Sequence, residues 1–307
     1  MPNLFQQVRR VIFGSGLRAV ADGGPGDLDM DISVRPGSES LKFDVGIWNL
    51  SDENWESVKR EDTVDIELGW AETSVERVCM GKIDKTYTET ANNGADTRYV
   101  VRGVDATLPQ LNERISRTFT DRNPGYIARR LAEECDVGFG LIEDADKVIE
   151  GKYPVTKDRS VRHHLRMLLN EAGKLTGDQW LWSARRGELY FHRESTTTED
   201  NVRLWASEND GNLLSANHST GSSTQDGAEE ISFEAYCEPG IRKDGTVQLE
   251  SRVASGSYKV SDFEFRSDTT TGEHEVTGTL VPEGAQYSAD FLDDLSFFSP
   301  ARQGTRE

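Results

Sequence analysis

The sequence predicts a mainly β protein with an α+β insertion, in which two β-barrels flank a small α+β domain. In both outer thirds of the 307-residue chain, apolar residues alternate with polar ones, and this period of two is typical of half-buried strands. In the middle third the period changes to that of amphipathic helices. The chain is long for one average domain, so we expect several domains.

The first third, residues 1–106, is predicted to form one β-barrel. The alternating segments are short and are separated by turn residues, as expected for a small antiparallel barrel or sandwich. A short helical stretch over 52–59 interrupts them. The predicted strands are 29–34, 41–47, 63–70, 77–83, 84–90 and 97–104.

The middle segment, residues 107–200, is predicted to be the α+β domain. One helix begins at Pro124 with Asn123 as its cap, and a second is capped by Ser160 and ends at Gly173. A β-hairpin over 179–192 follows, with Arg186 and Gly187 at its turn.

Residues 201–284 are predicted to form the second barrel, with a polar linker over 215–227 and a final segment over 285–307. The predicted strands are 229–236, 246–251, 256–265 and 274–280. The final segment combines aromatic and aliphatic residues within an acidic context, which favours either a docking peptide or a cover for the chain's own core. The candidate docking residues are Phe291, Leu292, Leu295, Phe297 and Phe298.

The charge balance argues against nucleic-acid binding. There are 54 Asp and Glu residues against 35 Lys and Arg, a formal net charge of −19, whereas a nucleic-acid binder presents a basic surface to phosphates. The basic residues are 10 Lys and 25 Arg. Few lysines and many acids favour a protein adapted to very high salt, where screening weakens self-repulsion.

No motif predicts a catalytic, metal or cofactor site. Cys79, Cys135 and Cys237 are far apart, without a CxxC or a Cys/His cluster, and are expected to be buried small apolar residues. Phosphate-binding, zinc-protease, calcium-loop and serine-hydrolase motifs are absent from the sequence. The sequence has no apolar run long enough for a membrane span or a secretory signal, so neither is expected.

The first third resembles the N-terminal barrel of the phage tail baseplate hub family, the late-control protein D and related tail hub proteins. The phrase Ile47–Ser51 is similar to the family's I-x-N-L-S. Residues 61–70 are similar to G-D-x-V-x-(IL)-x-(AL)-G-(YW), with Glu61 in place of the family's first glycine. Cys79–Ile83 is similar to the family's F-x-G-x-I strand. Gly103–Asp105 is similar to its closing C-x-D phrase, with Gly103 in place of the cysteine. The residues that match are Asn49, Leu50, Ser51, Asp62, Gly69, Gly81 and Asp105.

The middle and last thirds continue the resemblance in the same order. Residues 161–191 are similar to the family's helix and hairpin, and 237–249 are similar to L-x-P-x-I-x-P-G-D-x-V-x-L. In that phrase Lys243 replaces a proline, and Asp244 and Gly245 stand in place of Gly-Asp. Residues 256–260 are similar to G-x-Y-x-V, and 265–269 are similar to H-x-G-D-T with 265–267 in place of His-x-Gly. The matching residues are Pro239, Gly240, Gly256, Tyr258 and Asp268.

The resemblance implies a structural role without enzymatic activity. It implies two tube-type β-barrels per subunit and a homotrimer, so that the ring has pseudo-sixfold symmetry and joins the tail tube to the tail tip at the virion baseplate. The implied partners are further copies of this chain, a tail tube or distal tail protein, the tape measure protein, and tail-tip or fibre proteins. DNA would pass through without specific binding, which agrees with the net negative charge.

Two other classes of function stay open at the sequence level. A receptor- or carbohydrate-binding tail module would need an exposed aromatic platform. A tail-associated glycan hydrolase would need paired carboxylates in an aromatic cleft, for which Trp180, Trp182 and Glu188 are the candidates.

Overall fold

The computed structural model describes residues 6–24, 26–91, 96–206, 211–219 and 230–284. Of these described residues 54% are in strands and 14% in helices, so the fold is mainly β, which confirms the predicted class. The candidate docking segment from Phe291 to Phe298 lies outside the described residues. Within the described ranges, no helix has the length and apolarity that a membrane crossing requires.

Where the structure describes it, the first β block contains seven strands and one short helix. The predicted strands 77–83 and 84–90 are one long strand, because a bulge between Ile83 and Lys85 lets the ladder with its neighbour continue. The elements are β1 (Gln7–Phe13), β2 (Arg18–Ala21), β3 (Met30–Pro36), β4 (Leu41–Trp48), α1 (Asp52–Ser57), β5 (Thr63–Trp70), β6 (Val75–Ala91) and β7 (Asp96–Asp105).

The middle segment combines helices and short strands around its own apolar cluster, which runs from Leu108 to Phe191. The second long helix does not end at Gly173 as predicted. It continues to Thr176 and is capped by Gly177, which has the left-handed φ of 84° and donates its N–H to the Gly173 carbonyl at 2.8 Å. The elements are α2 (Thr107–Gln110), β8 (Arg117–Arg122), α3 (Pro124–Glu133), β9 (Gly138–Ile142), β10 (Ile149–Val155), α4 (Val161–Thr176), β11 (Trp180–Arg185) and β12 (Glu188–Arg193).

The described part of the second β block contains six strands. Residues 215–219 are not part of a linker as predicted, because they pair with the following strand. The elements are β13 (Thr198–Trp205), β14 (Leu213–Ser219), β15 (Glu230–Tyr236), β16 (Gly245–Glu250), β17 (Ser255–Asp268) and β18 (His274–Pro282). The exact domain limits 1–106, 107–200, 201–284 and 285–307 stay a prediction.

The two β blocks share one continuous sheet, which the sequence did not predict. In the described part of the chain this sheet has 13 strands, and its main path runs β14-β15-β18-β17-β3-β4-β7-β6-β5-β1-β2. The blocks meet where β17 pairs antiparallel with β3. A single apolar cluster contains residues of both blocks, so they form one packed body.

Candidate functional site

The two β blocks repeat the same strand topology. In each, a first hairpin is followed by a crossover and a second hairpin that returns beside it. The spatial orders are β3-β4-β7-β6-β5 in the first block and β14-β15-β18-β17-β16 in the second. Five strands therefore correspond one to one and in chain order.

A matched phenylalanine–glycine pair marks the same position in each repeat. Phe43 lies opposite Gly103, and Phe233 lies opposite Gly278. A Cβ on Gly103 would lie 2.6 Å from the Phe43 ring and 2.1 Å from the carbonyl oxygen of Lys82. A Cβ on Gly278 would lie 2.7 Å from the Phe233 ring and 2.4 Å from a carbonyl oxygen of the adjacent strand. The repeat thus extends from strand order to one specific packing contact.

The predicted motif residues Asn49, Leu50 and Ser51 shape the connection from β4 to α1. Asn49 has a φ of 52°, and its Oδ1 accepts a hydrogen bond from the Thr97 N–H at 3.3 Å. Leu50 is buried in the shared core, and the Ser51 hydroxyl caps α1 by accepting from the Asn54 N–H. These residues fix a turn and offer no reactive group.

Asp62, Gly69 and Gly81 also have structural roles. The Asp62 carboxylate accepts a hydrogen bond from the backbone N–H three residues earlier at 2.9 Å and fixes the turn before β5. Gly69 has a φ of 150°, and a Cβ there would lie 2.0 Å from the Ser74 carbonyl oxygen. A Cβ on Gly81 would lie 2.3 Å from the Phe43 ring.

Asp105 connects the first β block to the middle segment. It is fully buried, and burial raises the pKa of its carboxyl. Its Oδ1 accepts from the Thr107 hydroxyl at 2.6 Å, and its Oδ2 accepts from the Arg186 N–H at 2.9 Å. The same Thr107 hydroxyl oxygen accepts from the Gly187 N–H at 2.7 Å. The turn of the β11–β12 hairpin is therefore held on the end of β7.

The motif residues of the second block lie around β17. Gly256 begins the strand with a φ of 141°, and Tyr258 is half-buried on it. Asp268 ends the strand and accepts a hydrogen bond from the backbone N–H two residues later at 2.6 Å. Pro239 and Gly240 lie in the connection between β15 and β16. Asp268 therefore fixes the turn after β17, as Asp62 fixes the turn before β5.

A buried polar chain joins the two blocks, and the sequence did not predict it. Arg9 Nε donates to the Ser267 hydroxyl at 2.6 Å, and that hydroxyl lies 2.6 Å from His274 Nδ1. His274 Nε2 lies 2.9 Å from the carbonyl oxygen of Gly69, which can only accept. The imidazole must therefore carry its proton on Nε2 and accept from Ser267 on Nδ1. Burial, and then the Arg9 charge, lower the pKa of His274 to about 4.

The polar face of the continuous sheet carries arginines that are paired with carboxylates. Arg98 Nε donates to Asp31 at 2.8 Å, and Arg266 donates to Glu264 at 2.6 Å. Because their charges are offset locally, these guanidinium groups attract phosphate less than unpaired ones would. Three such pairs on this face are Arg98 with Asp31, Arg102 with Asp44, and Arg266 with Glu264.

The structure places the three candidate residues of the glycan hydrolase, Trp180, Trp182 and Glu188, on one β-hairpin. Trp180 and Trp182 are buried, so they form no exposed aromatic platform. Glu188 lies opposite Arg185 near the hairpin turn, whereas Trp180 is at the far end of that hairpin, opposite Arg193. In the described residues, no three His, Cys, Asp or Glu side chains are grouped so that they could hold a metal ion.

Solved structures share this fold at low sequence identity. The 43 kDa tail protein of prophage MuSo2 from Shewanella oneidensis is 12% identical and has a TM-score of 0.63, with 91% of this chain and 100% of that chain covered. A tail protein from Neisseria meningitidis MC58 is 9% identical with a TM-score of 0.61, over 91% of this chain and 98% of that one.

A third similar structure belongs to a secretion apparatus. It is an Escherichia coli component of the type VI secretion system, described as structurally similar to the T4 bacteriophage tail proteins gp27 and gp5. It is 12% identical with a TM-score of 0.59, over 87% of this chain and 78% of that one. No protein-family model and no curated protein matches the sequence. The chain therefore has the fold of phage tail proteins, as the sequence resemblance implied.

Proposed function

We propose that this protein is the hub of a viral tail baseplate. In this proposal three copies form a ring of six similar β blocks, which joins the sixfold tail tube to the threefold tail tip. The role is structural, and the ring acts as a conduit rather than a catalyst. Its partners are further copies of this chain, a tail tube or distal tail protein, the tape measure protein, and tail-tip or fibre proteins.

The internal repeat is the observation that carries this proposal. Three copies of a chain with two equivalent β blocks supply six equivalent blocks around a ring. Such a ring can contact a sixfold tail tube through its six blocks and a threefold tail tip through its three chains. The repeated strand order and the two phenylalanine–glycine pairs support such equivalence. The fold that this chain shares with phage tail proteins also supports a structural role in a viral tail.

The charge supports passage of DNA without specific binding. The net charge of −19 repels phosphates, and three arginines on the polar face of the sheet, Arg98, Arg102 and Arg266, are paired with carboxylates. We propose that acidic residues predominate along the bore of the ring. The low lysine count and the charge also support an origin in a high-salt environment.

Light scattering on the purified full chain in molar salt tests the ring. The expected mass is three times the 34.3 kDa of one chain, or a multiple of it if rings stack. The matched comparison is the same protein at low salt, where self-repulsion between acidic copies weakens association. A monomer at all salt concentrations up to the solubility limit would contradict the proposed assembly.

A further inference from the structure

The junction between the two blocks follows a simple pattern within the chain. β17 is a long strand whose first half, from Ser255 to Lys259, pairs with β16. Its second half, from Phe265 to Asp268, pairs antiparallel with β3 from Asp31 to Val34. The first block thus contributes an edge strand, and the second contributes the extended half of a long strand.

Away from this junction, the first block also has the extended half of a long strand, and the second block also has an edge strand. Neither of these pairs with the other block within the described chain. β6, the counterpart of β17, pairs with β5 only up to Lys82, and from Lys85 to Ala91 its sole strand partner among the described residues is β7. β14, the counterpart of β3, has β15 as its sole strand partner in the same part of the chain. Each chain therefore retains one extended half-strand on the first block and one edge strand on the second.

We infer that β14 of one copy pairs antiparallel with the Lys85–Glu89 part of β6 in the next copy, which reproduces the β3–β17 junction between molecules. The inference rests on the proposed ring and specifies its contact. The contact uses different surfaces on the two copies, so it is heterologous, and heterologous contacts close into rings when the rotation permits. Backbone hydrogen bonds would supply the affinity, as in strand addition to a sheet edge.

The strand pairings within the chain also identify the residue of β6 that corresponds to Phe265 of β17. When the two repeats are aligned so that Gly103 matches Gly278, Val101 matches Val276, because each valine lies two positions before its glycine. Phe265 pairs with Val276, and Thr86 pairs with Val101. Thr86 is therefore the counterpart of Phe265.

The same reasoning applies to the edge strand. Val34 pairs with Phe43, and Ala216 pairs with Phe233. Ala216 is therefore the counterpart of Val34. Since Phe265 lies opposite Val34 within the chain, Thr86 of one copy should lie opposite Ala216 of the next.

The exposure of β14 supports a covering partner. Leu214 lies in β14, within the part that is inferred to pair with β6 of the next copy, and it is 42% exposed in the single chain. An edge strand with an exposed leucine is a ready site for strand addition, and natural proteins usually protect such edges. A second copy seated on β14 would pair the edge and complete the sheet around the ring.

Disulfide trapping tests the inferred register. The variant carries Thr86→Cys and Ala216→Cys, since residues directly opposite each other in an antiparallel pair have Cα atoms at about 4.5–5.5 Å, within the range of a disulfide. The native cysteines Cys79, Cys135 and Cys237 are all buried, so they should not interfere. The control carries Thr90→Cys with Ala216→Cys, displaced by four residues or about 13 Å along the strand.

We expect oxidation with diamide to give covalent dimers and trimers of the first variant, at least tenfold more than in the control. A trimeric mass without in-register crosslinks would overturn the inferred contact and leave the proposed ring intact. A monomeric mass in molar salt together with no crosslinks would overturn both. Equal crosslinking in both variants would also overturn the register.

Discussion

Lowering the pH from 7 to 4 should destabilise the junction between the β blocks through one residue, His274. Its imidazole is 2% exposed and lies between Ser267 and the Gly69 carbonyl. When the imidazole is neutral, each donor in this series of hydrogen bonds from Arg9 to the Gly69 carbonyl faces an acceptor. A proton on Nδ1 would remove the acceptor of the Ser267 hydroxyl hydrogen and would add a buried positive charge near Arg9.

The magnitude follows from the pKa values of the two states. The pKa of His274 is lowered from 6.5 to about 4 in the folded protein, so the unfolded chain binds more protons between these pH values. This contribution is fully present above pH 6.5 and is lost as the pH falls toward 4. The loss corresponds to about 3 kcal/mol of unfolding free energy, at about 1.4 kcal/mol for each tenfold change in proton affinity.

Urea unfolding at fixed protein concentration, followed by tryptophan fluorescence, measures this contribution. Trp70 is a local probe because its ring centroid lies 4.8 Å from that of His274. We expect the difference in unfolding free energy between the wild type and His274→Asn to shrink by about 3 kcal/mol from pH 7 to pH 4. His218→Asn, at an exposed position on β14, is the control. A difference for His274→Asn that stays constant with pH would refute the reasoning.

Three further outcomes are expected. Gly103→Ala and Gly278→Ala should each lower the free energy of unfolding by about 1–3 kcal/mol, because the new methyl group overlaps backbone and a phenylalanine ring. Thermal unfolding measures this loss, with Thr279→Ala as the control. A large loss in only one repeat would contradict the equivalence of the two glycines. Asp105→Asn should cost about 1–3 kcal/mol because an amide cannot accept at both oxygen positions, and urea unfolding would show it. Deletion of residues 287–307 should abolish binding to a neighbouring tail protein in a pull-down and leave the ring mass unchanged; retained binding would exclude the segment as the docking peptide.

The elements with clean periodicity were predictable from the sequence. β4 alternates Leu41, Phe43 and Val45 on one face, and all three are buried. The caps Asn123 and Ser160 were predicted and accept the expected backbone hydrogen bonds. Local signals suffice in these elements because one face is buried and the helix starts are satisfied by nearby side chains.

Other elements could not be predicted because long-range contacts determine them. β1 was missed because Arg9 interrupts its apolar pattern, yet this arginine is buried and donates to Ser267, more than 250 residues away. β14 was assigned to a linker because its sequence is polar, as is common for an edge strand. Gly173 was taken as a helix stop, although Gly177 has the left-handed backbone that ends α4.

The family resemblance implies two similar barrels, but the sequence itself shows no internal tandem repeat. The two blocks share strand order and a phenylalanine opposite a glycine, but the Phe43–Gly103 and Phe233–Gly278 separations differ. Strand pairing depends on burial and hydrogen bonding, which many sequences satisfy. The motif residues were recognised in part because their turns need particular residues, such as Gly69 and Asn49 with positive φ.

End-on electron cryomicroscopy of the assembled protein tests the ring most directly. We expect class averages that show a closed ring with three copies and six lobes of similar size around an open bore, with β14 and β6 of adjacent copies in one sheet. An isolated monomer, or an assembly whose two β blocks occupy unrelated positions, would contradict the proposal that the repeat exists to build a six-part ring from three chains.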